Sequence, residues 1–200
     1  ATERLFTREE ARNRLGITES DFVVGNVGRL HPDKDQSTLV EAFAKVVADM
    51  PQARLVIIGE GRLRSELECQ IEELGISNRV ELKGRVEEAF QYFRAFDVFA
   101  LSSDHEPFGM VLLEAMVAPV PVISTGSGGA PEVLGDNGRF FSVGDVDTLA
   151  EQLLQISLES KECREAMARA LLDRLYALFS DEAVRKVFGQ LLVSWDSELG

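Results

Sequence analysis

The chain has 200 residues, of which 45% are hydrophobic and 28% charged, a composition typical of a globular domain with a full core. Its formal net charge of −13 argues against nucleic acids and anionic membranes as partners, because most of the surface would repel them. The two cysteines, Cys69 and Cys163, lack metal-binding or disulfide spacing, and no stretch resembles a signal peptide or a membrane span.

Residues 1–21 contain one charged, helix-patterned stretch, which we interpret as a lead-in to the main domain. Two short, β-branched segments follow, bounded by Gly, Asp or Pro, as expected for strands of a sheet covered on both faces, and four similar segments come after them. The predicted strands are 21–28, 53–59, 79–84, 97–102, 119–125 and 138–143.

Helical periodicity fills the intervals between these strands. Apolar residues between positions 39 and 50 recur at helical spacing, and Thr38 with Glu41 predicts a capping box at the start of that helix. From about residue 145 onward the pattern is helical throughout. The predicted C-terminal helices are 145–158, 160–178 and 181–197.

This alternation predicts the fold class. Strands that alternate with helices pair in parallel through right-handed crossovers. We therefore expect an α/β domain over residues 22–200, with a Rossmann-like, doubly wound parallel sheet of about six strands, helices on both faces and extra C-terminal helices.

Ligands of such sheets bind beyond the carboxyl ends of the strands, where two glycine-rich loops are found. "GEGRLR" and "GSGGAP" each follow a predicted strand, but both match the dinucleotide fingerprint only partly. Gly59 and Gly61 favour a tight turn into the next helix. Gly128 and Gly129 could instead let the backbone approach a ligand.

The loop "GRLHPDKD" after the first strand carries two cations. Arg29 and Lys34 lie close enough in sequence to hold a diphosphate together, Arg through its planar fork and Lys as a mobile point charge. The alternative is that they form ion pairs with the neighbouring acids Asp33, Asp35 or Glu60.

The segment "DHEPFGMVLLEAM" places two carboxylates eight residues apart. If a helix begins near Phe108, its free backbone NH groups form an anion site, and Glu106 and Glu114 lie about 12 Å apart. That distance suits a ligand with hydroxyls at both ends and a diphosphate between them. The alternative for Glu114 alone is a solvated helix face.

The motifs, taken together, resemble a known family. "GRLHPDKD", "LVIIGEGRLRSEL", "VELKGRV", "SSDHEPFGMVLLEAM" and "PVISTGSGGAPEV" are similar, in order and spacing, to the carboxyl-terminal domain of the retaining group 1 glycosyltransferases with the GT-B fold. The resemblance covers residues 22 to about 157. It implies a nucleotide-sugar donor domain, with residues 1–21 as the interdomain segment and the N-terminal acceptor domain absent from this chain.

The resemblance also implies roles for individual residues. Arg29 and Lys34 would hold the donor diphosphate in place of a metal, and Glu106 would face the donor sugar, so these three are the candidate catalytic residues. The implied donor-binding positions are Arg85, Val86, Phe108, Gly109, Met110, Val111, Glu114, Gly128 and Gly129, with Glu114 on the ribose. Asp35 departs from the family, which usually has a small residue there.

The implied function is retaining transfer of a hexose from a UDP-hexose or GDP-mannose to a polysaccharide, lipopolysaccharide or glycolipid acceptor. No cofactor or metal is implied, and the domain alone would bind without turnover. The implied location is cytoplasmic, or at the inner face of the membrane through the missing domain. The alternatives are a noncatalytic nucleotide-binding or protein-interaction module and, less well matched, a nicotinamide-dependent oxidoreductase.

Overall fold

The computed structural model describes residues 5–106 and 109–179. They form a six-stranded sheet flanked by helices. The strands are β1 (Phe22–Val27), β2 (Ala53–Ile58), β3 (Val80–Gly84), β4 (Val98–Leu101), β5 (Val122–Thr125) and β6 (Arg139–Phe141). The α-helices are α1 (Arg8–Leu15), α2 (Gln36–Val46), α3 (Arg64–Glu73), α4 (Met110–Val117), α5 (Ala130–Leu134), α6 (Val146–Leu158) and α7 (Lys161–Phe179). Short 3₁₀ helices span Pro32–Lys34, Ala89–Ala95 and Gly135–Asn137.

The sheet is doubly wound. Its strand order is β3-β2-β1-β4-β5-β6, and every pairing between strands is parallel. The order reverses between β1 and β4, and a crevice forms beyond the carboxyl ends of strands at such a switch point. The predicted Rossmann-like fold is confirmed, and all six strands fall within the predicted segments.

Each face of the sheet carries its own hydrophobic core. Side chains of β1 alternate between the two, so that Val24 packs with the apolar face of α2 and α6 while Val23 packs with α1, α4 and α7. Central strands such as β1 and β4 are therefore apolar on both faces, which is why their sequences are continuous apolar runs. The edge strand β3 instead alternates apolar and charged residues.

The lead-in helix α1 is anchored to the amino-terminal edge of the sheet by a buried cation. The Arg12 guanidinium is 1% exposed and donates to the carbonyl oxygens of Ala95, Thr18 and Asp21 and to the Asp97 carboxylate at 2.7 Å. Four hydrogen bonds to protein acceptors, one of them to a carboxylate, make this buried charge tolerable.

The start of α2 differs from the prediction. The helix begins at Gln36, and its N-cap is Asp35, whose carboxylate accepts from the Thr38 amide at 3.4 Å and the Thr38 hydroxyl at 2.6 Å. The predicted capping box of Thr38 and Glu41 is wrong, because Asp35 is the stronger N-cap residue and lies three residues earlier.

The predicted helix 181–197 lies outside the described residues. Within residues 5–106 and 109–179, no helix combines the length and the apolar character needed to cross a bilayer.

Candidate functional site

The loop after β1 is fixed to the loop after β4 by two hydrogen bonds to its main-chain carbonyl oxygens. The Ser102 hydroxyl donates to the Lys34 carbonyl oxygen at 2.9 Å, and the Asp104 amide donates to the Asp33 carbonyl oxygen at 3.1 Å. These bonds hold the 3₁₀ turn at Pro32–Lys34 against β4. The main chain of Lys34 is therefore positioned by the neighbouring strand as well as by its own loop.

The loop after β4 is fixed in turn to the glycine-rich loop after β5. The Gly129 amide donates to the Glu106 carbonyl oxygen at 2.8 Å. Gly128 adopts φ +58°, and a Cβ there would lie 2.2 Å from the same oxygen. Gly128 and Gly129, both predicted to bind the donor, thus give Glu106 its position, since only glycine allows so close an approach.

These contacts bring Lys34 and Glu106 together. The Lys34 Nζ lies 2.5 Å from the Glu106 Oε2, although the residues are 72 positions apart in sequence. The two side chains are only 18% and 12% exposed. The predicted cation and carboxylate therefore share one place at the carboxyl edge of β1 and β4, and their direct pairing is a finding that the sequence did not predict.

Arg29 is the second predicted cation, and its side chain is 73% exposed. Its guanidinium lies 3.6 Å from the Asp33 carboxylate, one of the partners that the ion-pair alternative named. Such an exposed, long contact contributes little. The Arg29 carbonyl oxygen accepts from the buried Gln36 amide at 2.9 Å, so its backbone is fixed while the guanidinium faces solvent.

The segment from Gly109 to Val111 forms the start of α4. Gly109 is the N-cap with φ +75°, and a Cβ there would lie 2.8 Å from Leu112 and 3.6 Å from the Glu106 side chain. Met110 is 61% exposed, and Val111 packs partly into the core. Gly109 therefore lies against Glu106.

Phe108, predicted near the helix start, lies outside the described residues. The α-helix itself begins at Met110. The separation of about 12 Å inferred for Glu106 and Glu114 assumed one straight helix through both residues. That assumption is wrong, because Glu106 precedes the helix.

Glu114 lies on α4 and is half-buried. Burial raises the pKa of this carboxyl above the ordinary value for Glu, because removal from water penalises the charged form. The structure therefore contradicts the alternative in which Glu114 lies on a solvated helix face. A carboxylate so placed is stabilised by any ligand that offers it hydroxyl donors.

Arg85 and Val86 follow β3 at the same edge of the sheet, two strands away from β1. Arg85 is exposed, and Val86 packs against the core on the α4 face. No described contact joins either residue to the Lys34–Glu106 pair.

The other glycine-rich loop packs on protein and not on open space. A Cβ at Gly59 would lie 1.9 Å from the Gly28 carbonyl oxygen, and a Cβ at Gly61 would lie 2.2 Å from the Leu30 carbonyl oxygen. The Leu30 amide also donates to the Glu60 carbonyl oxygen at 3.0 Å. These glycines allow the loops after β1 and β2 to meet.

Two supporting residues were not predicted. Gln36 and Ser102 are almost fully buried, and they donate to the carbonyl oxygens of Arg29 and Lys34 respectively. A polar residue directly after a strand or at a helix start, next to apolar positions, is the signal that could have indicated them. In the described part of the chain, no group of three or more His, Cys, Asp or Glu side chains is arranged to hold a metal ion.

A cavity of about 920 Å³ lies at the opposite edge of the sheet. Its lining includes Phe22, the first residue of β1, and Asp97 and Pro121, which directly precede β4 and β5. None of the predicted site residues lines it.

Comparison with known proteins gives a family match over most of the chain. The family model described as "Glycosyl transferases group 1" matches residues 7–171. The lipopolysaccharide core biosynthesis glycosyltransferase LpsE of Rhizobium meliloti is 35% identical over 185 residues, which are 92% of this chain and 53% of the relative.

A second relative is a GDP-mannose-dependent monoacylated alpha-(1-6)-phosphatidylinositol monomannoside mannosyltransferase of Corynebacterium glutamicum. It is 36% identical over 173 residues, which are 82% of this chain and 45% of the relative. The chain spans about half the length of the curated relatives that it matches.

A solved structure of similar fold is that of Anabaena HepE in complex with UDP. It superposes with a TM-score of 0.82 at 30% identity, over 94% of this chain and 52% of the HepE chain. HepE has also been solved with UDP-glucose.

Proposed function

Because the chain belongs to the group 1 glycosyl transferases, we propose that it is the donor-binding domain of a retaining, metal-independent hexosyltransferase with a nucleotide-diphospho-sugar donor. The observation that carries this proposal is the meeting of Lys34 and Glu106 at the switch point of the sheet, 2.5 Å apart. A cation and a carboxylate fixed there match the two chemically different parts of such a donor, its diphosphate and its sugar.

Lys34 and Arg29 are assigned to the diphosphate. When the glycosidic bond to phosphate breaks, negative charge grows on the leaving nucleoside diphosphate, and fixed cations nearby stabilise it. The main chain of the Lys34 loop is fixed by two hydrogen bonds from the loop after β4, so only the Lys34 side chain has to turn toward the diphosphate. Arg29 is 73% exposed and can turn toward an arriving anion.

Glu106 and Glu114 are assigned to the two polyol ends. Glu106 would accept hydroxyls of the donor sugar, and Glu114 would accept those of the ribose. The raised pKa of Glu114 that burial causes supports this role, since hydroxyl donors would supply the hydrogen bonds that burial removes. We assign sugar and phosphate contacts to the segment that leads into α4, which consists of Phe108, Gly109, Met110 and Val111.

The remaining predicted positions keep secondary roles. We assign Arg85 and Val86 to the base, through backbone groups after β3, and Gly128 and Gly129 to the support of Glu106.

The division into a lead-in at residues 1–21 and a donor domain at 22–200 is also part of the proposal. Since the chain matches about half of each relative, the acceptor domain would lie in the other half, and the isolated domain would not turn over.

The relatives suggest the class of donor and acceptor. HepE has been solved with UDP and with UDP-glucose, and the Corynebacterium relative is described as GDP-mannose-dependent. A UDP-hexose or GDP-mannose is therefore the proposed donor. The Rhizobium and Corynebacterium relatives favour a lipopolysaccharide or glycolipid acceptor, and a polysaccharide is the further acceptor class that we propose.

Calorimetric titration of the chain with UDP, GDP and ADP tests the proposal. We expect one of UDP or GDP to bind, and Arg29→Ala to weaken it by about 10–100-fold, the loss of one hydrogen bond to a charged group. Arg169→Ala is the matched control, because Arg169 is exposed and lies beside the cavity at the opposite edge.

Equal affinity of the Arg29→Ala variant and the unmutated chain would remove Arg29 from the diphosphate site. Absence of binding by all three nucleotides would contradict the donor-domain proposal and favour a noncatalytic protein-interaction module.

A further inference from the structure

Lys34 and Glu106 are each other's ion-pair partner in the structure, at 2.5 Å between Nζ and Oε2. Both side chains are mostly removed from water, at 18% and 12% exposure. An ion pair in such surroundings is coupled more strongly than one on the surface, and removing one partner leaves the other charge poorly solvated.

The backbones on both sides of this pair are fixed. The Lys34 carbonyl oxygen accepts from the Ser102 hydroxyl, and the Glu106 carbonyl oxygen accepts from the Gly129 amide while Gly128 packs against it. Only side-chain rotation can therefore change the partner of either charge. Lys34 has four methylene groups and a mobile ammonium, so it is the member that can move.

We infer that Glu106 is a specificity-determining residue that selects the intact nucleotide sugar over the free nucleoside diphosphate, because it competes with the diphosphate for Lys34. This inference rests on the proposed function of the site. A nucleoside diphosphate that draws Lys34 away leaves the Glu106 carboxylate without its cation, which is unfavourable at 12% exposure.

A nucleotide sugar avoids that penalty. Its sugar hydroxyls can donate to Glu106 at the moment when the diphosphate takes Lys34. The same exchange reverses after transfer: once the sugar has left, Glu106 again competes for Lys34 and weakens the hold on the nucleoside diphosphate. The ion pair thereby favours donor binding and product release together.

The test measures the affinities of the unmutated chain and of Glu106→Gln for UDP and UDP-glucose, and for GDP and GDP-mannose. For the base that the chain binds, we expect Glu106→Gln to bind the nucleoside diphosphate on the order of 5–10-fold tighter and the nucleotide sugar no tighter. Glu72→Gln is the charge-matched control, since Glu72 is exposed on α3 and makes the same change from carboxylate to amide outside the site. We expect it to change either affinity by less than about twofold.

A double-mutant cycle with Lys34→Met separates competition for Lys34 from simple repulsion of the diphosphate by Glu106. In the Lys34→Met background, with titrations followed by NMR to millimolar nucleotide, Glu106→Gln should no longer tighten binding. Tightening by the same factor in both backgrounds would overturn the inference, as would unchanged or weaker nucleoside diphosphate binding by Glu106→Gln alone.

A second measurement needs no variant. The ¹⁵N resonance of the Lys34 ammonium in the unmutated chain should shift on titration with the bound nucleoside diphosphate, and an unchanged resonance would contradict the exchange of partners. If the unmutated chain binds neither UDP nor GDP, the proposed function itself fails. Binding without the expected Glu106→Gln effect overturns this inference alone.

Discussion

Glu114→Gln should improve the stability of the domain and impair its ligand binding. Glu114 is half-buried on α4, and burial raises the pKa of its carboxyl. At neutral pH the ionised side chain is less well solvated in the folded chain than in the unfolded one. Glutamine has nearly the same shape without the charge, so the substitution removes a term that opposes folding.

The sign of the pH dependence follows from the direction of the shift. With the pKa of Glu114 higher in the folded chain, the folded chain holds more protons between the ordinary Glu value and the raised one, so stability decreases as pH rises through that window. Below the window both forms of the chain are neutral at this position. The stability difference between Glu114→Gln and the unmutated chain should therefore be smallest in acid and largest at neutral pH.

Two assays measure the opposing effects. Thermal denaturation at several pH values gives the stability, with a gain of 1 kcal/mol corresponding to about 2–4 °C in Tm for a domain of this size. Calorimetry gives nucleotide affinity, which should fall by about 10–100-fold if one charge-assisted hydrogen bond to the ribose is lost.

Glu72→Gln on α3 is the control, because Glu72 is exposed and should change neither quantity. A Glu114→Gln variant that is less stable at neutral pH would refute the reasoning about burial. One that binds nucleotide with unchanged affinity would refute the ribose contact.

The remaining predictions concern backbone geometry and the buried cation. Gly128→Ala should weaken nucleotide binding and cost about 1–3 kcal/mol of stability, because Gly128 has φ +58° and a Cβ there would lie 2.2 Å from the Glu106 carbonyl oxygen. Gly126→Ala is the control, since a Cβ at Gly126 would have no contact closer than 3.9 Å. Equal results for the two variants in calorimetry and denaturation would contradict this prediction. Arg12→Met should cost about 3–5 kcal/mol in urea denaturation, since it leaves Asp97 with Arg8 as its remaining cation and removes the donor of three carbonyl oxygens. A loss below about 1 kcal/mol would show that the buried guanidinium is not needed.

The sheet could be predicted because its signals are local. Most strands are short apolar runs next to Gly, Asp or Pro, and the alternation with helices leaves few parallel topologies. The switch point between β1 and β4 follows from that topology. The sequence therefore indicates which loops meet, and the structure brings together the loops that carry Lys34 and Glu106.

The helix starts were predicted less well, for two different reasons. At α2 two residues of capping type compete, and Asp35 with φ 43° takes the N-cap position in place of Thr38. At α4 the N-cap is Gly109, which offers no side-chain acceptor and so gives no capping pattern in the sequence. Local propensity cannot decide either start, because the loops that set them are fixed by contacts with other strands.

The ion pair between Lys34 and Glu106 could not be predicted from either loop alone. Each residue has closer acids or bases in sequence, and Arg29 does lie near Asp33. The pairing of Lys34 with Glu106 depends on three hydrogen bonds to main-chain carbonyl oxygens, donated by the Ser102 hydroxyl and by the Asp104 and Gly129 amides. A pair of residues 72 positions apart comes together only in the folded sheet, because the contacts that fix the two loops place these side chains next to each other.

The two glycine-rich loops show why similar motifs differ in role. Gly59 and Gly128 both follow strands, both have positive φ, and both would place a Cβ within 2.2 Å of a carbonyl oxygen. Gly59 approaches Gly28 and joins two loops, whereas Gly128 approaches Glu106, whose side chain bears charge. A glycine's contribution to the site is thus determined by the residue that its backbone contacts. The spacing of the dinucleotide fingerprint therefore cannot distinguish the loop at Gly59, which only packs, from the loop at Gly128, which positions a candidate catalytic acid.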